Sequence, residues 1–152
     1  MVLLKEVNES NWYELARLQT TEEQQKYVAS AVGIMARAYA MRKSRAKVYA
    51  IVNDEVYIGI AMIRDMDEYP ECYELQQFFI DYRYQNYGYG KKALKLIIDV
   101  LEKEKKYTSI EVCVKMEDKS AIHVYEKLGF IDTKYISPDV PDAYNLRYSF
   151  SQ

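Results

Sequence analysis

Three β-rich segments follow one another in the middle of the chain, and their short connections constrain the fold more than any other feature. Lys47–Val52 alternates in polarity, and Asn53 and Asp54 then provide residues that tolerate a left-handed turn. Val56–Ile63 follows, and a polar connection containing one proline leads to the third segment, Tyr73–Ile80. Consecutive strands with such short links pair in antiparallel fashion, so this part of the chain predicts an antiparallel sheet.

Helical and strand-like periodicities alternate in the rest of the chain. The other predicted elements, in order, are strand Leu3–Val7, a helix that starts at Ser10, a helix from about Glu22 to Lys43, helix Lys91–Lys105, strand Ser109–Val114, helix Lys119–Lys127, and strands Ile131–Ile136 and Ala143–Phe150. This order predicts an α/β fold with a mixed, mainly antiparallel sheet flanked by helices. The strand–helix–strand unit around Lys91–Lys105 predicts one parallel crossover.

Length and composition exclude several classes of protein. The 152 residues predict one domain, 1–152, and a net charge of -2 provides no basic field for a nucleic-acid backbone. The longest uncharged, mostly apolar run, Tyr27–Met35, is too short to cross a bilayer, and the N-terminus does not fit a signal peptide. Cys72 and Cys113 have neither metal-ligand spacing nor the density of a disulfide scaffold. We therefore expect a cytoplasmic protein that binds no nucleic acid, no membrane and no metal.

Tyrosine is unusually frequent, with 16 residues in 152. In one interpretation, tyrosine replaces phenylalanine in core and boundary positions, with each hydroxyl reaching water. In the other, aromatic walls and hydroxyl donors line a pocket for a cationic ligand. The count by itself favours the first interpretation.

A glycine-containing loop, Gln85–Gly90, lies between the third strand of the antiparallel segment and the helix from Lys91. Gly88 and Gly90 allow a positive φ or a close approach of the backbone to a ligand. Backbone N–H groups of the loop and the first helical turn would converge on one point and form an anion site. Lys91 and Lys92 stand in that first turn, where a cation is disfavoured, so an external anion explains them better than helix stability does.

Two other phosphate-binding loop patterns also contain glycines. Gly88–Ala93 also fits the G-x-G-x-x-[GA] dinucleotide pattern, but that pattern follows directly on a strand of a doubly wound sheet. Here several residues intervene, and the preceding strands form antiparallel hairpins. A Walker loop is excluded because its spacing is missing and Lys92 occupies the position of its hydroxyl residue. The dinucleotide-binding domain therefore stays as an alternative.

A second motif, Asp118–Phe130, combines with the first. Ala121 and Tyr125 are four residues apart, on one helical face, and Gly129 ends the helix. In their order and separation, the two motifs resemble the GNAT superfamily of acetyl-coenzyme-A-dependent N-acetyltransferases. The family's loop pattern [QR]-x-x-G-x-[GA] and its helix pattern N-x-x-A-x-x-x-Y-x-x-x-G-F are matched, except that Asp118 replaces the asparagine. The specific matches lie between about residues 73 and 130.

The resemblance implies a GNAT-like fold with a splayed central strand pair, and acetyl-CoA as cosubstrate without a metal. It implies that the third strand pairs its main chain with the pantetheine arm and that the loop grips the diphosphate. The cofactor-binding residues implied in this way are Phe78, Phe79, Ile80, Gln85, Asn86, Tyr87, Gly88, Tyr89, Gly90, Lys91, Asp118 and Ala121.

Family members transfer the acetyl group directly to a primary amine, without an acyl-enzyme. Tyr125 matches the position of the phenol that protonates or hydrogen-bonds the coenzyme-A sulfur. Some members use a strand glutamate as the base at the position of Gln76, whose amide cannot accept a proton. Glu74 is expected on the same strand face, one pleat away, and is the candidate base acting through an ordered water.

The resemblance also bears on the acceptor. The stretch Tyr73–Arg83 looks like the corresponding strand of the spermidine/spermine type of polyamine acetyltransferase. Five acids near the connection before it would form a negative rim for a polycation: Asp65, Asp67, Glu68, Glu71 and Glu74. The predicted function is therefore acetylation of a small amine, in first place a polyamine such as spermidine or spermine. The alternatives are an aminoglycoside or a protein N-terminus as acceptor, or a non-catalytic module that senses acetyl-CoA. A homodimer could form through the final strand.

Overall fold

The computed structural model describes residues 1–151, which build a seven-stranded sheet with helices against both faces. The strands are β1 Val2–Glu6, β2 Lys47–Asn53, β3 Val56–Met66, β4 Cys72–Ile80, β5 Ser109–Lys115, β6 Ile131–Asp132 and β7 Ala143–Ser149. The helices are α1 Trp12–Ala16, α2 Ala31–Ala40, α3 Tyr89–Glu104 and α4 Lys119–Leu128. The spatial order is β1-β2-β3-β4-β5-β7-β6, and β4 with β5 is the parallel pair. The predicted element order and the mixed, mainly antiparallel sheet are thus confirmed.

Strands β4 and β5 separate soon after they meet. They pair at Tyr73 with Ile110 and at Glu74 with Glu111, and the remaining residues of β4 up to Ile80 have no partner on β5. Since β3 occupies only the other edge of β4, backbone groups along this edge stay available. The predicted splayed central strand pair is confirmed.

Two buried clusters pack against opposite faces of the sheet. One includes Ile97 of α3 and Tyr125 of α4. The other includes Leu15 of α1 and Ile34 of α2. Strand β4 contributes to both clusters, because its side chains alternate between the faces. The two clusters therefore hold β4 in position from both faces of the sheet.

A β-bulge interrupts β4 beside the splay. Met62 of β3 pairs with Gln77, and the next residue, Ile63, pairs with Leu75, so Gln76 is the extra residue without a partner on β3. A bulge of this kind changes the alternation of side chains along the strand. The prediction that Glu74 and Gln76 share a face by simple alternation therefore does not apply to this strand.

The single helix predicted from about Glu22 to Lys43 is wrong. The structure has a short 3₁₀ turn over Glu23–Lys26, then α2, then a second 3₁₀ turn over Arg42–Ser44. The first 3₁₀ turn ends at Lys26, and Ser30 then caps α2, because its backbone is extended and its hydroxyl accepts a hydrogen bond from the Gly33 N–H at 3.0 Å. The apolar periodicity continued across this cap and concealed the break.

Among the element boundaries that differ from the prediction, two concern a strand end and a helix cap. Strand β6 ends at Asp132 rather than at Ile136, because Lys134 adopts a left-handed φ of 67° and the Thr133 hydroxyl donates to the Asn145 carbonyl at 2.7 Å. Helix α1 has Asn11, not Ser10, as its N-cap residue. Neither change alters the order of the elements.

A charged cluster holds the C-terminal end of α3 on the sheet. Asp65, only 4% exposed, accepts hydrogen bonds from Arg45 at 2.7 and 3.1 Å and from Lys106 at 2.6 Å. Burial alone would raise the pKa of Asp65, but these two cations outweigh it, so the pKa lies below its ordinary value. Arg45 also donates to Glu104, the last residue of α3, at 2.6 Å. Ion pairs therefore anchor the end of β4 at which it still pairs with β5.

Candidate active site

The free edge of β4 leads into a tight turn that Asp81 organises. The Asp81 carboxylate is fully buried and accepts from the backbone N–H groups of Gln19 and Arg83, each at 3.0 Å, and from the Arg83 guanidinium at 2.9 Å. Burial would raise the pKa of Asp81, but the hydrogen bonds from Arg83 and Gln19 lower it overall. Asp81 therefore stays ionised and fixes the direction in which the chain leaves the strand.

The glycine loop is held in place by Gln85. Its amide N–H donates to the Ile80 carbonyl at 2.9 Å, and the Gln85 and Gln24 side chains exchange hydrogen bonds of 2.8 and 3.1 Å. Gln85 is thus tied to the end of β4 and to the segment that precedes α2. These contacts indicate that the side chain of Gln85 shapes the loop, while the loop backbone is left to meet a ligand.

Helix α3 begins without a side-chain cap. Gly88 is its N-cap residue with a left-handed φ of 83°, no side chain caps the helix, and Asn86 also has a left-handed φ of 68°. The N–H groups of Tyr89, Gly90 and Lys91 therefore have no intrahelical acceptor and point out of the helix end. Together with the positive end of the helix dipole, they provide a site for an anion.

Gly88 and Gly90 differ in whether the backbone requires a glycine. A Cβ atom at Gly88 would meet nothing within 4 Å, so its left-handed φ is what requires glycine there. A Cβ atom at Gly90 would lie 3.6 Å from the Ile80 side chain and 3.8 Å from Phe78, which are ordinary contacts. The first turn of α3 thus rests directly on the end of β4, and the loop and the strand edge form one continuous surface.

The loop tyrosines differ in their surroundings. Tyr87 is 68% exposed, whereas the Tyr89 hydroxyl accepts a hydrogen bond from the Asn53 side chain at 3.2 Å. Their rings lie 5.9 Å apart, centroid to centroid. Lys91 is exposed beside them. The open side of the loop therefore presents an aromatic ring and a cation next to the free backbone N–H groups.

Helix α4 places Tyr125 in the same buried cluster as Ile80 of β4 and Ala93 of α3. Tyr125 is 6% exposed. Burial raises the pKa of the Tyr125 phenol, and the nearby charge of Asp118 raises it further. The phenol is therefore held neutral and keeps its proton available for a hydrogen bond.

A chain of aromatic rings positions Tyr125. Its ring contacts Phe130 edge-on at 5.3 Å, and Phe130 lies 5.5 Å from Tyr148. Contacts of 5.8 Å to Phe150 and then 6.2 Å to Tyr73 continue the chain into β4. Several of the numerous tyrosines are thus packing residues, in agreement with the first interpretation of their count.

Asp118 is the N-cap of α4. Its carboxylate accepts from the Ala121 N–H at 3.3 Å, which is the capping role that asparagine would perform equally well. Burial raises the pKa of Asp118, and the Ala121 hydrogen bond opposes this only in part. The replacement of the family's asparagine therefore preserves the start of the helix.

Glu74, the candidate base, is part of an ion pair. One of its oxygens accepts from the Arg64 guanidinium at 2.7 Å, and the two side chains are largely buried, at 27% exposure for Arg64 and 16% for Glu74. Its parallel neighbour Glu111 pairs in the same way with Arg147. Sequence reasoning missed both arginines: Arg147 lies 36 residues from Glu111, and Arg64 stands opposite Glu74 only in the register of β3 with β4.

The acidic rim predicted for a polycation does not form as expected. Asp65 is neutralised by Arg45 and Lys106, and Asp67 accepts a hydrogen bond from the Tyr107 hydroxyl at 2.9 Å. The connection that carries these acids precedes β4, whereas the glycine loop follows β4 at the opposite end of the strand. Of the five predicted acids, Glu74 borders the splay, opposite Glu111 of β5, and each of the two has an arginine partner.

A separate cleft of about 1270 Å³ opens on the α1 and α2 side of the sheet. Its lining includes Leu18, Val28, Tyr57, Phe79 and Tyr82, but neither the glycine loop nor Tyr125. Within residues 1–151, no group of three or more His, Cys, Asp or Glu side chains is arranged so that it could hold a metal ion. The helices described here are also too short or too polar to span a membrane.

In sequence, the chain is similar to two acetyltransferases named for spermine or spermidine. The spermine/spermidine N(1)-acetyltransferase of Bacillus subtilis strain 168 is 37% identical over 78 residues, which is 48% of this chain and 51% of that protein. A probable spermine N(1)-acetyltransferase from B. subtilis subsp. natto is 36% identical over the same length. The chain thus matches about half the length of these curated relatives.

Solved structures share the fold over nearly the whole chain. A spermidine N-acetyltransferase from Vibrio cholerae, in complex with CoA and spermine, has a TM-score of 0.78 at 14% identity and covers 97% of this chain and 95% of that one. An aminoglycoside acetyltransferase, AAC(6')-Ib, in complex with coenzyme A, has a TM-score of 0.79 at 16% identity, with 98% and 95% covered. At this level of identity, the likenesses establish the fold.

The family itself follows from the sequence as a whole. The profile of the acetyltransferase (GNAT) family matches residues 10–130, which include the glycine loop, the free edge of β4 and the helix that carries Tyr125. The chain therefore belongs to the acetyltransferase (GNAT) family.

Proposed function

We propose that the protein transfers the acetyl group of acetyl-CoA directly to a primary amine of a small substrate, in first place a polyamine such as spermidine or spermine. The observation that carries this proposal is the free edge of β4, whose end at Ile80 lies against the uncapped N-terminus of α3 at Gly90. An extended arm ending in a diphosphate matches this combination of a strand edge and an anion site.

The cofactor is proposed to lie along this surface. The N–H groups of the loop and the first turn of α3 would hold the diphosphate, with Asn86, Tyr87, Gly88, Tyr89, Gly90 and Lys91 around it. The main chain of Phe78, Phe79 and Ile80 would pair with the pantetheine arm, and Asp118 and Ala121 would flank it from α4. Gln85 would act by holding the loop in shape, as its contacts with Ile80 and Gln24 support.

In the proposed reaction, the amine nitrogen attacks the thioester carbon, the new C–N bond forms, and the C–S bond breaks. The amine, with a pKa of about 10.4 when lysine-like, must first lose a proton. Glu74 would receive it through an ordered water, using the carboxylate oxygen that does not bond Arg64. The sulfur leaves as a thiolate and requires a hydrogen bond or a proton.

Tyr125 is proposed to serve that thiolate as a hydrogen-bond donor. Its raised pKa keeps the phenol neutral, and an ordinary thiol has a pKa of about 8.5, so complete transfer of the phenol proton to sulfur would be uphill. A neutral donor beside the developing negative charge still lowers the barrier. The burial of Tyr125 thus supports hydrogen bonding rather than net proton transfer.

The polyamine assignment is supported by the names of the relatives at 37% and 36% identity and by the sequence of β4. The second candidate is a module that binds acetyl-CoA without catalysis, which the engagement of Glu74 with Arg64 favours. The predicted homodimer and cytoplasmic location stay predictions.

The function is tested by measuring thiol release from acetyl-CoA with spermidine, spermine, lysine and kanamycin as acceptors. We expect turnover to be fastest with spermidine or spermine. Faster turnover with kanamycin or lysine would move the acceptor to another class of amine. Binding of acetyl-CoA in calorimetry without turnover of any acceptor would indicate the sensing module, and stronger binding of NAD than of coenzyme A would overturn the cofactor.

The two loop glycines form a matched pair. Gly88→Ala forces an L side chain into a left-handed conformation, at a cost of about 1–2 kcal/mol, so the dissociation constant for acetyl-CoA should rise roughly tenfold. Gly90→Ala adds only ordinary contacts and should leave that constant within about twofold. Calorimetric titration measures both variants, and equal effects would contradict the anion-site assignment of the loop.

Tyr125→Phe removes the proposed donor and leaves the ring. We expect kcat to fall about 100-fold while the dissociation constant of acetyl-CoA is unchanged. Tyr148→Phe is the control, since it removes a hydroxyl from the same aromatic chain two rings away. Loss of turnover in both variants would point to packing instead of a donor role.

Glu74→Gln tests the base. Turnover at neutral pH should fall about 100-fold, and the difference from the wild-type protein should shrink as the pH approaches the pKa of the free amine, because the amine then loses its proton unaided. Glu111→Gln, the adjacent carboxylate with its own arginine partner, serves as the control. Parallel pH–rate profiles for Glu74→Gln and the wild type would place the base elsewhere.

A further inference from the structure

One polar atom stands apart from the rest of the interior. Among residues 1–151, the side-chain oxygen Oε1 of Gln76 is the buried side-chain N or O atom that lacks a hydrogen-bond partner. Leaving an acceptor buried and unpaired costs stability, and folded proteins rarely tolerate it without a reason. Gln76 is also the extra residue of the β4 bulge, so the strand departs from regular pairing at this position.

The neighbouring polar side chains of β4 are already occupied. Glu74 accepts from Arg64 at 2.7 Å, and Oε1 of Gln77 accepts from the Ala29 N–H at 2.9 Å. Both therefore have structural partners from β3 and from the segment before α2. Gln76 is the member of this polar group whose amide oxygen is left for something outside the protein.

The position of Gln76 along the strand limits which hydrogen-bond donor can reach its side-chain oxygen. Pairing between β4 and β5 ends at Glu74, so Gln76 lies just inside the splay. Under the proposed function, the diphosphate sits beyond Ile80 and the pantetheine arm runs down the strand past Phe79 and Phe78. The thioester end then arrives beside Gln76, between the arm and Glu74.

A thioester has no N–H or O–H group. The attacking amine brings N–H bonds to this end of the site, both as an ammonium ion and after it loses its proton. A carboxamide oxygen accepts from either form and takes no proton itself. Glu74, two residues earlier on the strand, is left with the acid–base role.

We infer that the side-chain carbonyl of Gln76 is the hydrogen-bond acceptor that holds the N–H of the acceptor amine at the thioester. This inference rests on the proposed function, and it assigns a specificity-determining role to a residue that cannot be the base. The oxygen lacks a hydrogen-bond partner in the free protein and gains one when an amine binds.

The inference makes an unusual prediction for stability. Gln76→Leu removes a buried acceptor that has no partner, so the melting temperature of the free protein should stay the same or rise. Gln77→Leu, the matched control, removes a hydrogen bond that is made and should lower the melting temperature. Differential scanning calorimetry without substrate measures both, and an equal fall in the two variants would overturn the inference.

Kinetics with the best amine of the panel provide the second readout. For Gln76→Leu, the KM for the amine should rise about tenfold, while the KM for acetyl-CoA stays within twofold. Gln76→Glu keeps an oxygen at the same reach and should restore the KM for the amine. A rise in the KM for acetyl-CoA instead would assign the oxygen to a pantetheine amide, and an unchanged KM for the amine would likewise overturn the proposal.

The failure of the proposed function can be distinguished from the failure of this inference. If the wild-type protein acetylates none of the acceptors, the rise in melting temperature that spermidine causes in the coenzyme-A-loaded protein is compared between the wild type and Gln76→Leu. A spermidine-dependent rise in the wild type alone supports the role of Gln76 without catalysis. Equal shifts, or no shift in either protein, overturn it.

Discussion

The early separation of β4 from β5 is the constraint on which the rest of the site depends. A central strand normally satisfies its backbone groups on both edges, but β4 loses its neighbour after Glu74 meets Glu111. Each unpaired N–H and C=O beyond that point must find water or a ligand. Polar groups at the two ends of the free edge also lack protein partners: the N–H groups at the uncapped N-terminus of α3, and the side-chain oxygen of Gln76. A single extended ligand with polar groups along its length can meet all of them.

The separation is maintained from both ends of the strand pair. At the closed end, Asp65 binds Arg45 and Lys106, and the Tyr73 hydroxyl accepts from the Lys106 N–H at 3.0 Å. At the open end, the first turn of α3 at Gly90 lies against the Ile80 side chain. Since the two anchors lie at opposite ends of β4, the gap beside the strand is part of the folded structure.

The fold could largely be predicted from local patterns, whereas the site could be predicted only in part. Strand periodicity, the left-handed turn at Asp54 and the stop at Gly129 depend on residues close together in the chain, and the structure bears them out. The helix across Ser30 was predicted wrongly, because a capping hydroxyl interrupts an apolar pattern that otherwise continues. The partners of Asp65 lie 20 and 41 residues away, so no local pattern could reveal that this acid is neutralised.

The same limit applies to the most informative residue of the site. The sequence places Gln76 in a strand and identifies its side chain as unable to act as a base, but the bulge arises from the register between β3 and β4. The structure shows that the side chains of Gln77 and Glu74 accept hydrogen bonds and that Oε1 of Gln76 has no partner. A glutamine that appeared to weaken the case for catalysis thereby acquires a different meaning. An amide oxygen holds an amine through its N–H without competing for its proton, and this leaves the nitrogen lone pair free for attack once a base has acted.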